Sequence, residues 1–421
     1  MIKKLKPKSE FSRNVVILMT GTTIAQAIPI AISPILTRIY TPEDFGVFAL
    51  FVAVASIFGS VANGRYELAI MLPRKDEDAI NIFALGFIIT SFISLFLLFL
   101  VILFNDYFTA LFNNDEIGLW LYFVPISVLL TGLFNILNYF NNRIKNYKDI
   151  ANATILKSIV LAITQLSIGF IKQGVSGLVS GQLFSQLVAN TKLLTNIIKD
   201  KVLVSKISKV KILALAKRYK NFPKYSMWAA LANTLSQHLT NILISTFYSI
   251  STLGFYSLVQ RVLGMPAALI GGSIGQVFFQ QATKEKQQTG RAIKTFNKTV
   301  KKLIMIGLPS FGILFFIVED LFAFVFGEEW RIAGEYAQIV IPLFFIRFVV
   351  STVSQLNSIF EKNLNGLYIQ VILLTTVIGL FLIVDLYSID FEVFLKLMTL
   401  FLFVEFIALY VYLFNLSKGN I

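Results

Sequence analysis

The chain has 421 residues, 56% of them hydrophobic and only 14% charged. Soluble domains carry about 25% charged residues, so this composition excludes an ordinary soluble protein. The absence of cysteine excludes disulfides and thiolate metal sites, and the one histidine, His238, argues against a histidine-based metal centre. We therefore expect neither a metal nor a cofactor.

Apolar segments of about 20 residues recur along the whole chain, and each is long enough to cross ~30 Å of hydrocarbon. The first is too long for a signal peptide, so we interpret it as a spanning helix. The pattern predicts an all-α polytopic membrane protein with about twelve transmembrane helices. The predicted spans are residues 14–37, 44–64, 80–104, 118–140, 150–171, 174–197, 225–248, 252–281, 299–325, 334–360, 366–384 and 392–414.

The loops between these spans alternate between basic and acidic. The N-terminal tail, the loop 199–224 and the segment 284–302 hold most of the lysines and arginines. Because basic loops remain on the cytoplasmic side of a membrane, both termini are predicted to be cytoplasmic. The net charge of +14 is divided among separate loops, so it indicates topology and not nucleic-acid binding.

The loop 199–224 divides the spans into two equal sets. We predict an N-terminal lobe of residues 1–198, a cytoplasmic linker of residues 199–224 and a C-terminal lobe of residues 225–421. The second span of each lobe opens on a related sequence, DFGVFAL at 44–50 and TLGFYSL at 252–258. Since each lobe starts in the cytoplasm, the two would form a parallel repeat about an axis along the membrane normal.

Several spans carry a stripe of polar residues on one helical face. In the first span the stripe includes Gln26, in the second it includes Asn63, and in the seventh it includes Gln237. A lipid-facing helix has no reason to carry such a stripe, whereas a helix that lines a watery cavity does. The stripes therefore predict a membrane transporter with a polar central cavity.

The linker has four aliphatic residues at helical spacing, Leu203, Ile207, Val210 and Leu213. One interpretation is an amphipathic helix that lies on an anionic membrane surface. The other is a solvated linker that is rich in lysine only because of the orientation rule. The sequence leaves both interpretations open.

Three segments carry a resemblance to a known family: LTRIYTPEDFGVFAL (36–50), RYELAIMLP (65–73) and LGFYSLVQRVLGMPAALIGGSIGQVFFQQA (253–282). In this order they resemble the Wzx-type flippases of the multidrug/oligosaccharidyl-lipid/polysaccharide (MOP) exporter superfamily. The resemblance implies two six-helix lobes around a cavity that opens to one side of the membrane at a time.

The resemblance also implies a substrate and a location. The substrate would be undecaprenyl-diphosphate-linked oligosaccharide, carried from the cytoplasmic to the periplasmic leaflet of a bacterial inner membrane for O-antigen or capsule assembly. Membrane lipids, a polysaccharide polymerase and the export machinery would be further partners. We expect a monomer that binds no nucleic acid.

Two arginines lie deep inside predicted spans. Arg261 is ~14 Å into the eighth span at 1.5 Å per residue, and Arg347 lies within the tenth. A lone cation at such depth costs at least ~2.5–3.5 kcal/mol, which an anionic lipid diphosphate or a polar cavity would offset. The planar guanidinium suits phosphate, and Gln260 adjoins Arg261. The alternative is a structural cation bonded to backbone carbonyls.

Arg65 and Glu67 belong to the Arg-Tyr-Glu run of the resembled family, which implies a role in transport. A spacing of two does not put both on one helical face, so we expect each to pair with another helix. The alternative is an interfacial cation beside a surface acid. Lys157 lies ~10 Å into the fifth span, from where it reaches either the cavity or the cytoplasmic surface. The predicted substrate-binding residues are Arg261, Arg347, Arg65, Gln26, Asn63, Gln237, Gln260 and Lys157.

A buried glutamate can have a raised pKa and take up protons, so Glu67 and Glu405 are predicted coupling residues. Lys396 is nine residues from Glu405 on the same span, on the opposite face, so the two do not form an ion pair. His238 is either a third coupling residue or a packed polar side chain. Arg38, near the acidic Glu43 and Asp44, forms either a gating salt bridge or an ordinary exposed pair. The predicted coupling or gating residues are Glu67, Glu405, Arg38 and His238.

Two other functions compete with flipping. A multidrug exporter of the same superfamily would share the topology, but its cavity would favour acids for organic cations, whereas the deep charges here are mostly basic. A membrane enzyme such as a polysaccharide polymerase needs a sizeable extramembrane catalytic region, which the predicted loops lack. The chain also has no G-x-x-x-x-G-K-[ST] motif and hence no ATPase of its own. We therefore do not expect an enzyme.

Overall fold

The structure is a computed structural model, and it describes residues 10–112, 114–172 and 174–419. Regular structure in these residues is helical throughout, without a β-strand. The described chain forms two compact units, one that ends at Ile242 and one that begins at Leu243.

The first unit consists of long helices and shorter helices between them. Its helices are α1 (Glu10–Ala31), α2 (Ser33–Ile39), α3 (Pro42–Gly59), α4 (Tyr66–Ala69), α5 (Asp76–Leu111), α6 (Glu116–Leu121), α7 (Val124–Arg143), α8 (Tyr147–Ile171), α9 (Ser176–Ile198), α10 (Lys201–Val204), α11 (Lys209–Arg218) and most of α12 (Met227–Phe247). A π-helical segment, Phe222–Ser226, precedes α12.

The second unit is built in the same way. Its helices are α13 (Ile250–Pro266), α14 (Gly272–Thr289), α15 (Ile293–Phe326), α16 (Arg331–Val353), α17 (Leu356–Ile359), α18 (Asn363–Tyr387) and α19 (Phe391–Ser417). A π-helical segment, Ala267–Gly271, joins α13 to α14, and a 3-10 turn, Glu328–Trp330, precedes α16.

Ten segments of the described chain are long and apolar enough to cross a membrane. α9 and α12 match two further predicted spans in length but carry more polar residues. α9 buries Gln186 and Asn190, and Asn190 Nδ2 donates to the Leu130 carbonyl of α7 at 2.9 Å. Such side chains lower the hydropathy of a helix, yet they are satisfied by neighbouring helices inside a membrane. The predicted all-α polytopic membrane fold is confirmed.

Several helices extend past the boundaries predicted for their spans. α5 covers Asp76–Leu111 where 80–104 was predicted, and α15 covers Ile293–Phe326 where 299–325 was predicted. α5 begins with Asp76, Glu77 and Asp78, which the positive end of the helix dipole favours. Hydropathy identifies only the apolar part of a helix that lies in the hydrocarbon of the membrane. A prediction from hydropathy therefore omits the polar ends of the helix.

Tyr40 lies where α8 and α9 approach closely. It is buried, and its hydroxyl donates to the Gln165 carbonyl at 2.6 Å. Burial, with a smaller effect of Asp44, raises the pKa of Tyr40 to about 12, so the hydroxyl keeps its proton at neutral pH. Gly169 and Gly177 flank the Tyr40 hydroxyl, and a Cβ on either would overlap it. Small residues at such contacts are the usual basis of helix packing in membranes.

We expect Gly177→Ala to lower the midpoint of thermal unfolding, because the added methyl would displace Tyr40 and break its hydrogen bond. Overpacking of this kind typically costs about 1–3 kcal/mol. Gly379→Ala in α18 is the matched control, since a Cβ there meets no atom within 4 Å. Thermal unfolding of the purified variants measures both effects. An unchanged midpoint for Gly177→Ala would contradict this account of the packing.

The linker packs on the first unit through one face of α11. Ile212 and Leu215 join the hydrophobic core around Ile70 and Ile80. The Tyr66 hydroxyl donates to the Ala216 carbonyl at 3.0 Å. The linker is thus a packed part of the first unit.

The predicted linker helix differs from the observed one. Leu203 packs against the core, while Ile207, Val210 and Leu213 are exposed, so the four do not share one face. The helix is interrupted between α10 and α11. There Asn81 holds the linker backbone, accepting from Ser208 N at 2.8 Å and donating to the Lys206 carbonyl at 3.0 Å. The four residues therefore do not form the single apolar face of one amphipathic helix, because these tertiary hydrogen bonds override the local periodicity. Contact of the linker with an anionic membrane surface stays a prediction.

Candidate functional site

The turn after α3 places the first group of predicted site residues. α3 ends at Gly59, and α4 begins at Tyr66. Between them Gly64 and Arg65 have left-handed backbone angles, with φ of 57° and 63°. A left-handed residue with a Cβ is strained and persists only where its surroundings hold it, often at functional positions. Arg65 thus stands outside both helices, and helical spacing does not apply to it.

Arg65 and Glu67 form an ion pair, with Arg65 Nη1 3.1 Å from Glu67 Oε1. The expectation that each pairs with another helix is therefore wrong, since it assumed that both residues are helical. The Glu67 side chain is 3% exposed and that of Arg65 is 28% exposed, so the pair is shielded from water. Arg65 Nε and Glu67 Oε2 have no hydrogen-bond partner within the described ranges. Both side chains keep unused bonding capacity.

The electrostatics of this pair are set mainly by burial. Burial raises the pKa of the Glu67 carboxyl, whereas the charge of Arg65 and the backbone N–H of Glu67 itself lower it. Arg65 therefore supports the ionised form of a carboxylate that its surroundings would otherwise protonate. The role of Glu67 in coupling stays a prediction.

Asn63, in the same turn, joins three helical elements. Its Nδ2 donates to Thr90 Oγ1 of α5 at 2.7 Å and to the Gly132 carbonyl of α7 at 3.0 Å. Asn63 is buried, and both of its amide protons are used in these bonds. The structure thus places Asn63 within helix packing, and its role in substrate binding stays a prediction.

Four more predicted residues of the first unit lie on three separate helices. Gln26 is exposed on α1, and α12 carries an exposed Gln237 next to a half-buried His238. Lys157 of α8 is half-buried and its Nζ lies 5.1 Å from the centre of the Phe134 ring on α7. An aromatic face is a favourable position for a cation away from water.

Arg38 does not form the predicted pair with Glu43 or Asp44 within the described residues, and its side chain is exposed. Asp44 is used instead to start α3. Its carboxylate accepts from Thr41 N at 3.0 Å, and Thr41 Oγ1 accepts from Asp44 N at 3.2 Å. This reciprocal capping box satisfies two backbone donors at the helix end.

In the second unit, Tyr256 connects two of the predicted substrate-binding residues. It is buried on α13, has a side-chain hydrogen bond with Gln260 one turn later, and interacts electrostatically with Arg347 of α16. Further along the chain, Gly271 allows the π-helical segment after α13 to approach α16 closely, since a Cβ there would lie 2.9 Å from Thr352 Oγ1 of α16. We call Arg347, Tyr256 and Gln260 the Arg347 cluster.

Arg347 is exposed although it lies within the 32-residue candidate span Glu328–Ile359. Arg261 follows Gln260 directly on α13 and is half-buried. The π-helical segment Ala267–Gly271 interrupts the α-helical pattern one to two turns after Arg261. Such interruptions are frequent at functional sites. Two guanidinium groups are thus carried by α13 and α16, which pack against each other.

Glu405 of α19 accepts a hydrogen bond from Thr376 Oγ1 of α18. Its Oε2 is buried and has no partner in the part of the chain that the structure describes. The carboxylate borders a largely apolar cavity of about 310 Å³ between α18 and α19. Lys396 pairs with Glu392 at 2.5 Å, in agreement with the expectation that it does not pair with Glu405.

Sequence reasoning missed Tyr256 and Thr376. Tyr256 lies five residues before Arg261 in the segment 253–282. A tyrosine in the same predicted span as an arginine is a signal that could have marked it as a candidate site residue. Thr376 had no such signal, because threonine commonly bonds its own helix and its contact with Glu405 depends on tertiary packing. The described residues also contain no group of three or more histidine or acidic residues that could hold a metal ion.

These features define a polytopic membrane protein that retains polar and charged side chains within its spanning helices. The sequence matches the family described as "Polysaccharide biosynthesis protein" over residues 35–334, and the chain belongs to that family. No curated protein matches the sequence.

Solved structures share the fold at low sequence identity. A structure titled "Lipid II flippase MurJ, inward closed conformation" aligns with a TM-score of 0.73 and 12% identity, covering 96% of this chain and 90% of that one. An inward-facing multidrug resistance MATE family transporter of the MOP superfamily aligns with a TM-score of 0.59 and 12% identity, covering 96% and 95%. A MOP superfamily transporter from Pyrococcus furiosus gives a TM-score of 0.57 and 13% identity, covering 96% of both chains. The chain therefore shares its fold with these transporters and this flippase.

Proposed function

We propose that this protein flips undecaprenyl-diphosphate-linked oligosaccharide repeat units from the cytoplasmic to the periplasmic leaflet by alternating access. The product would serve the assembly of a surface polysaccharide such as O-antigen or capsule. Membership of a polysaccharide biosynthesis family supports the polysaccharide part of this proposal. The fold shared with a protein titled a lipid II flippase supports the lipid-linked part.

The exposed Arg347 is the observation that carries the proposal. A guanidinium within an apolar span is costly unless a polar or anionic group offsets its charge. The Arg347 cluster combines this cation, which interacts electrostatically with Tyr256, with a hydroxyl and an amide, and all three kinds of group bind phosphate or sugar oxygens. A lipid diphosphate combines a dense negative charge with polar sugars, and it fits both kinds of group.

A multidrug exporter is the second candidate, because other neighbours of this fold are multidrug resistance transporters. A site for organic cations favours unpaired carboxylates, and Glu405, whose Oε2 has no hydrogen-bond partner among the described residues, is one feature of this kind. The three site cations Arg261, Arg347 and Lys157 favour an anionic substrate. We also propose that the chain is a transporter and not an enzyme, in the inner membrane of a bacterium, with cytoplasmic termini and as a monomer.

Expression in a strain that lacks its own polysaccharide flippase tests the function. We expect surface polysaccharide to return and lipid-linked repeat units to stop accumulating inside the cell. Expression of a vector without the gene is the control. Continued accumulation of lipid-linked units, with the protein present in the membrane and resistance to cationic drugs increased, would favour the multidrug exporter.

A further inference from the structure

The linker keeps an exposed apolar surface after its inner face has packed. Val210 is 77% exposed and Leu213 is 62% exposed, and both lie on the side of α11 away from the buried Leu215. Val202 of α10 is 72% exposed. A helix that needed only one partner would bury its apolar residues on one face and carry polar residues on the other. α11 is therefore apolar on two sides.

The charge around this exposed surface has a single sign. Between Lys201 and Lys224 the chain has eight basic residues and no acidic one. Glu77 of α5 engages Lys211, at 2.9 Å, and lies 3.9 Å from Lys206. The remaining basic residues include exposed ones on α11 and just after it: Lys209, Lys217, Arg218 and Lys220. Aliphatic side chains framed by lysines are the pattern of a helix that lies in the headgroup region of an anionic bilayer.

The position of the linker in the fold brings it to the level of the membrane surface. It runs between the end of α9 at Ile198 and the start of α12 at Met227. Tyr225, in the π-helical segment before α12, is 60% exposed, and Trp228, in the first turn of α12, is 61% exposed. Such aromatic residues are typical of the belt at the membrane–water boundary. Glu77 and Asn81 hold the inner side of the linker at the first two turns of α5, which is the polar end of a candidate span.

We propose that α11, together with Tyr225 and Trp228, forms a docking surface for the anionic lipid headgroups of the surrounding bilayer. Val210 and Leu213 enter the boundary between headgroups and acyl chains, while Lys209, Lys217 and Lys220 contact the phosphates. The inner face of α11 stays on the first unit. The linker is thus held between protein on one side and charged lipid on the other.

Site-specific spin labels test this surface in the full-length protein, which has no native cysteine. Leu213→Cys is labelled and placed in nanodiscs of either neutral phosphatidylcholine or a mixture with phosphatidylglycerol. The collision rates of the spin label with oxygen and with a water-soluble nickel complex report how deeply the label lies in the bilayer. We expect the label to be shielded from the nickel complex in the anionic nanodisc, and to become accessible in the neutral one and in high salt. Gln288→Cys, exposed at the end of α14, is the control and stays accessible throughout.

A second arm removes the charges in the same labelled background. Each lysine near an anionic surface strengthens binding about fivefold, so Lys209→Gln with Lys217→Gln and Lys220→Gln should make the Leu213 label accessible in the anionic nanodisc. The thermal unfolding midpoint in detergent verifies that these surface changes leave the fold intact. A Leu213 label that is equally accessible in both nanodiscs would overturn the docking surface. Equal shielding in the neutral nanodisc would overturn the assignment to anionic lipid.

Discussion

Replacing Arg347 by alanine is expected to reduce polysaccharide export by about 10- to 100-fold, since a charge-assisted hydrogen bond contributes about 1.5–3 kcal/mol. The guanidinium is exposed within a candidate span and interacts electrostatically with Tyr256, so its loss removes the cation from the Arg347 cluster. Arg347→Lys should retain part of the activity, because lysine keeps the charge but not the planar pair of donors. Surface polysaccharide per unit of membrane-inserted protein is the measurement.

Arg331→Ala provides a control on the same helix. Arg331 begins α16 and pairs with Asp320 at 2.7 Å and Glu328 at 2.6 Å, and all three side chains are exposed. Exposed pairs contribute about 0–1 kcal/mol, so this variant should export normally. Normal export by Arg347→Ala would remove the cationic site from the proposal. Equal loss in both variants would point to damage to α16 and not to a lost substrate contact.

Arg65→Ala is expected to cause the largest loss of stability of any change considered. It leaves the 3% exposed Glu67 without its cation, and breaking a shielded pair from one side typically costs about 3–5 kcal/mol. Adding Glu67→Gln should recover much of this loss, since the unpaired charge is then gone. Lys396→Ala is the control, because its pair with Glu392 is 58% and 60% exposed and should shift the unfolding midpoint little.

The stability lost in Arg65→Ala should depend on pH, and the pKa of Glu67 sets the direction of that dependence. Burial holds the folded-state pKa of this carboxyl above its ordinary value of 4.5. The folded protein therefore binds the proton more tightly than the unfolded chain, and stability falls as pH rises from 4.5 through the folded-state pKa. The charge of Arg65 opposes this rise in the pKa of Glu67. Removing Arg65 therefore raises the folded-state pKa further, and the loss of stability continues to higher pH. The midpoint difference between the parent and Arg65→Ala should be larger at pH 8 than at pH 5, and a constant difference would contradict this account.

The helices could be predicted because their signal is local. Long apolar segments and the alternation of basic loops depend only on residues near one another in the chain, and they predicted the all-α membrane fold. The extended ends of α5 and α15 were missed because polar residues continue a helix beyond the hydrocarbon. The break in the linker helix was not visible in sequence, because it depends on Asn81, more than a hundred residues away, which binds the linker backbone.

The candidate site was less predictable, because its geometry depends on contacts between distant residues. The depth of Arg347 in an apolar span was visible in sequence, whereas its electrostatic interaction with Tyr256 depends on the packing of α13 against α16. The Arg65–Glu67 pair was excluded by helical spacing, yet the left-handed angle at Arg65 turns the chain and brings the two side chains together. The partner of Glu405 likewise lies on another helix, 29 residues earlier in the chain.

The transfer of a lipid-linked oligosaccharide across a bilayer tests the central claim most directly. The purified protein is reconstituted into sealed liposomes that contain labelled undecaprenyl-diphosphate glycan, and an impermeant enzyme then trims the glycan exposed on the outer leaflet. We expect the protected fraction to fall well below that of protein-free liposomes, and to remain high with Arg347→Ala. A protected fraction equal to that of protein-free liposomes, with correctly folded protein present, would contradict the proposed function.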